Sequence, residues 1–137
     1  MKKVYYIIPL FIFILFYSCG NKTPFMPENK ILKEEYNREY NSQDLSVYLK
    51  SFNKDTINLL VDAFVDKYHE KKLTMLKIKL YDRELPLELI NKIDSPMKAD
   101  SNGIAQMTFP PSGTKWAQCW YWYKSGDREL TDIKTQK

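Results

Sequence analysis

Few side chains in this sequence have the identity and spacing that chemistry requires. It has two cysteines, Cys19 and Cys119, and one histidine, His69. A cysteine nucleophile needs a nearby base or positive charge to lower its pKa. Cys119 and His69 form such a pair only if the fold joins two distant segments. The expected state of Cys119 is therefore a buried, inert thiol on a strand face shared with Ala117, Tyr121 and Tyr123. His69 follows Asp62 and Asp66 and adjoins Glu70, on one face of a helix. One imidazole and two carboxylates can hold a divalent ion, but this spacing carries no metal signature, so a solvated acidic face is expected. The four glycines, at 20, 103, 113 and 126, are too scattered for a phosphate-cradling loop, and GxSxG and HExxH are absent. No catalytic residue, metal or cofactor is assigned, and a non-enzymatic protein is expected.

The remaining chemistry is aromatic. Trp116, Gln118, Trp120 and Trp122 share one side of a strand whose other side is also aromatic. Such a row is either the centre of the core or a surface that stacks on sugar rings or receives a partner's side chain. A net charge of +4, dispersed along the chain, is too small for a nucleic-acid partner.

Targeting is clearer than chemistry. Lys2 and Lys3 precede Val4–Tyr17, fourteen residues without a charge. A membrane-spanning helix takes about twenty apolar residues, so this run matches a secretory h-region better than a permanent span. It ends in Phe16-Tyr17-Ser18-Cys19-Gly20, which resembles the lipobox of bacterial lipoproteins. The resemblance covers residues 1–19 and implies lipidation of Cys19 and removal of residues 1–18. Acyl chains contribute ~0.8 kcal/mol per buried methylene and would hold the chain on a membrane. Gly20 is not the aspartate linked to inner-membrane retention, so a diderm envelope would place the protein at the outer membrane, facing the periplasm. Processing would leave 119 of the 137 residues and reduce the charge from +4 to +2.

Residues 19–43 read as the lipidated cysteine followed by a tether and stalk, and residues 44–137 as a small globular domain. Within the stalk, 28–41 are charged and suit a weak amphipathic helix or a solvated segment. Residues 44–52 fit either a strand or a helix. Over 55–72, Ile57, Leu60, Val61, Phe64, Val65 and Tyr68 form a helical apolar stripe, with Asp55 or Thr56 as the cap. From Leu73 to Tyr81 the period becomes two, as in a half-buried strand, and Leu85, Leu87 and Leu89 also alternate. Asn102-Gly103 marks a hairpin, Ile104–Phe109 its outgoing strand, and 116–123 and 129–135 further strands. The expected fold class is α+β: an antiparallel sheet or small sandwich of five to six short strands, preceded by the 55–72 helix.

Pro86-Leu87, the Asp100-Ser101-Asn102-Gly103-Ile104-Ala105 turn and Pro111-Ser112-Gly113 give residues 81–123 some resemblance to carboxypeptidase-regulatory-like and bacterial immunoglobulin-like modules. Those families imply structural or binding roles and no catalytic residues. The expected role is a membrane-tethered, non-catalytic module binding an envelope protein, of the inhibitor or immunity type. An accessory part of a secretion or conjugation assembly and a glycan-binding module are the alternatives.

Overall fold

The computed structural model describes residues 25–94, 98–99, 103 and 105–137. The segment read as a signal, Cys19 and most of the stretch read as the Asp100–Ile104 turn lie outside the described residues. Strands β1 (Asn29–Asn37), β2 (Ser42–Leu49), β3 (Met75–Tyr81), β6 (Lys115–Trp122) and β7 (Asp127–Leu130) lie in the order β1-β2-β3-β6-β7, and β8 (Lys134–Thr135) also pairs with β6. Strands β4 (Lys98–Ala99) and β5 (Ala105–Gln106) form a separate small ladder. Helix α1 (Lys54–Tyr68) connects β2 to β3, and α2 (Leu87–Asp94) follows β3. The architecture is α+β, as expected, with an open sheet rather than a sandwich.

Helix α1 does not precede the sheet: it is the crossover that lets β2 and β3 run parallel. All other neighbouring pairs are antiparallel. The apolar stripe of α1 buries Ile57, Leu60, Val61, Phe64 and Tyr68 against the sheet. From the sheet, Leu45, Val47 and Leu49, then Leu76, Ile78 and Leu80, then Ala117 and Cys119 complete this core. Full burial of each large aliphatic or aromatic side chain contributes roughly 1.5–3 kcal/mol. Asn53, rather than Asp55 or Thr56, caps α1, accepting from the Thr56 amide at 3.0 Å.

Two stretches differ from expectation. Residues 29–37 form an edge strand, so the sheet begins at Asn29, inside the segment read as a stalk. Strand alternation sends adjacent Ile31 and Leu32 to opposite cores, and the ladder shifts register between Ile31 and Lys33. Two consecutive apolar residues imitate a helical stripe in the sequence, whereas here they mark a strand covered on both faces. The second difference is at 87–94, where Leu85, Leu87 and Leu89 suggested a strand. Pro86 needs no amide partner at a helix start, and its carbonyl accepts from the Leu89 and Ile90 amides. The resulting helix buries Ile90 and leaves Leu87 54% exposed, the reverse of a period of two.

Candidate functional site

Strand pleating sends Trp116, Gln118, Trp120 and Trp122 to the sheet face opposite α1. Their partners on β3 are Tyr81, Lys79, Lys77 and Met75, in that order. The two ends of this face differ. At the Trp116 end, Tyr81, Leu85 and Ile90 form a second core, with Leu32, Leu89, Ile93 and Trp116 packed on it. Lys134 Nζ sits 5.4 Å from the Trp116 ring centre. Trp120 and Trp122 are partly exposed and belong to neither core cluster. The expected contact row therefore divides: Trp116 is structural, Gln118 is the boundary, and Trp120 and Trp122 are the surface.

Charge follows the same face. Lys79 pairs with Asp94, and Lys33 lies 3.3 Å from Asp94 and 3.0 Å from Glu35. Burial pulls the Lys33 ammonium down, but the Glu35 and Asp94 carboxylates outweigh it and raise its pKa. Lys77 is different. It has no hydrogen bond or ion pair among the described residues, and burial, reinforced by the Lys79 charge, lowers its pKa against the opposing Asp44 and Asp94 charges. Asp44 faces it across the β2–β3 ladder, with a buried Oδ1 that has no partner. These residues line a cleft of about 520 Å³ that also reaches Arg38 and Asn91.

The cysteine–histidine pair does not form. Cys119 is fully buried beneath α1, with its Sγ 3.9 Å from the Trp120 carbonyl. Burial pushes its thiol up, away from a nucleophile's range, despite the opposing Arg128 charge. His69 lies on an exposed 3-10 turn, its ring centre 6.1 Å from that of Tyr123. Asp62 accepts from Arg128 Nη1 at 2.8 Å, and Asn58 accepts from Nη2 at 2.8 Å, which ties β7 to α1. Among the described residues, no cluster of three or more His, Cys, Asp or Glu side chains is arranged to hold a metal ion.

Sequence reasoning missed Lys77 and Asp44. Their only signal was position: polar residues on strands whose alternate residues are core. No family model, curated protein or solved structure matches this chain. Among the described residues, no helix is long and apolar enough to cross a membrane.

Proposed function

We propose that this protein is a lipid-anchored envelope protein of a bacterium, acting as a non-catalytic protein-binding module of the inhibitor or immunity type. The observation that carries the binding half is the placement of Trp120 and Trp122, on an open sheet face and outside both cores. Large aromatic side chains on such a face supply contact area at low conformational cost, and Trp is enriched where binding energy concentrates. The anchoring half rests on Lys2-Lys3, the apolar run to Tyr17 and Ser18-Cys19-Gly20. Nine residues, 20–28, separate Cys19 from β1, and extended chain spans at most ~3.6 Å per residue. That is roughly 30 Å, enough to present the domain clear of the membrane surface.

The test uses the full chain in its own envelope. A photo-crosslinking residue at Trp122 should give a discrete protein adduct, and one at Leu59, on the exposed side of α1, should give none. Labelled palmitate should enter the wild type but not Cys19→Ser. Equal crosslinking at both sites, or an adduct to glycan alone, would overturn the protein-binding reading. Absence of label from the wild type would overturn the anchor.

A further inference from the structure

The Trp116 end of the open face contains a pocket. Ile93, Met107, Phe109 and Trp116 line a mainly apolar space of about 110 Å³, to which Lys79 and Gln118 add polar lining. Met107 and Phe109 at this pocket are 57% and 47% exposed. Small-molecule sites usually enclose about 300 Å³ or more. A space this size suits one inserted side chain, the form that an interface anchor takes.

Four residues along the same two strands stand Lys77 and Trp120. At ~3.3 Å per strand residue, they lie roughly 13 Å from the Tyr81–Trp116 pair. Lys77 feels the Asp44 and Asp94 charges but makes no direct ion pair or hydrogen bond with either among the described residues. Lys33 and Lys79 are held by carboxylates, while Lys77 is partly desolvated without an ion pair among the described residues. A desolvated cation is costly until it gains an acceptor, so an arriving carboxylate offsets a penalty already incurred on folding.

We infer that this face receives a segment of a partner protein that inserts one apolar side chain into the Met107–Phe109–Trp116 pocket and sets a carboxylate against Lys77. The segment crosses Gln118 and rests on Trp120 between those two contacts. This inference rests on the protein-binding reading and gives it a chemical specificity: an apolar anchor and an acidic residue roughly 13 Å apart.

The experiment uses the full chain in its native envelope, with the photo-crosslinking residue at Trp122. Lys77→Met and Met107→Lys should each reduce the protein adduct at least about five-fold, a change of ~1 kcal/mol or more. Lys77→Arg should retain it, and unchanged melting temperatures should show that all three variants fold. Mass spectrometry of the adduct should locate a partner segment bearing an apolar residue and an Asp or Glu. An adduct that persists in Lys77→Met and Met107→Lys overturns this inference and leaves the protein-binding reading standing. A partner segment without an acidic residue, or an adduct to a second copy of this chain, also overturns it. Failure to form a protein adduct in any background overturns both.

Discussion

Lys77 stands directly opposite Trp120 in the β3–β6 ladder, and Trp120 stands directly opposite Glu129 in the β6–β7 ladder. The indole is thus bracketed by a cation and an anion on the side of the sheet that α1 leaves open. Cross-strand neighbours of this kind lie close enough for their side chains to interact. Position along this face, at the α2 end or away from it, decides whether a tryptophan here is packed or open.

That distinction predicts two very different mutational costs. Phe64→Ala removes a fully buried ring beneath the sheet and should cost about 3–5 kcal/mol in urea unfolding. Trp120→Ala should cost about 1 kcal/mol or less, within the range of changes outside a packed core. Equal losses would make Trp120 part of the core and remove the basis for a contact face.

The two cysteines make opposite predictions in one assay. Cys119 is fully buried and its thiol is pushed up by burial, so a disulfide reagent should not label it in the folded chain. In denaturant, Cys119 should react, while Cys19 should remain blocked if it carries lipid. One thiol per unfolded chain is the expected count. Two would mean that Cys19 is unmodified, and rapid labelling of folded Cys119→Ser–sensitive thiol would contradict the buried site.

Alkaline pH should weaken the fold through buried phenols. Burial pushes the Tyr123 pKa up to about 12 from 10.0, with Tyr121 and Asp66 adding to the effect. Burial also raises Tyr68 and Tyr81. A folded-state pKa above the unfolded value gives stability that is complete below pH 10 and lost as pH rises through about 12. Lys77 acts the other way, because its lowered pKa makes ionised Lys77 a cost that fades toward 10.5. Three phenols, joined by Lys33 with its raised pKa, against Lys77 should give a net fall in the urea midpoint between pH 10 and 12. Tyr123→Phe should flatten that fall, and an unchanged slope would contradict the assigned burial.

One backbone position should be open to improvement. Lys72 ends the 3-10 turn with φ 52°, a left-handed conformation that a side chain disfavours. Lys72→Gly should raise stability by roughly 0.5–1 kcal/mol, read from the urea midpoint. A loss of that size would show that the lysine side chain contributes more than its backbone costs.

The α1 stripe was legible because Ile57, Leu60, Val61 and Phe64 share one face of a long helix. Strand β3 was legible from strict alternation, and β6 from its run of β-prone aromatic residues. The β1 strand was hidden because Ile31 and Leu32 serve two cores on opposite sides, which removes the apolar–polar alternation of a half-buried strand. Helix α2 was hidden because Leu85, Leu87 and Leu89 alternate by chance, while Ile90 and Ile93 carry the buried face. The parallel β2–β3 pairing depends on a crossover that no local pattern records. At the site, the tryptophan row was visible as a row, but its division into structural Trp116 and open Trp120 and Trp122 depends on where α2 packs. Lys77 could not be singled out, since its burial without a direct ion pair is a property of the folded neighbourhood.

Oxidative footprinting of the face, in the purified full chain and in the intact envelope, tests the central claim most directly. Hydroxyl radicals should modify Trp120 and Trp122 in the purified chain, and both should be protected several-fold in the envelope, while exposed Leu59 reacts equally in the two samples. Equal modification of Trp120 and Trp122 in both samples would mean that nothing covers this face, and would contradict its role as a docking surface.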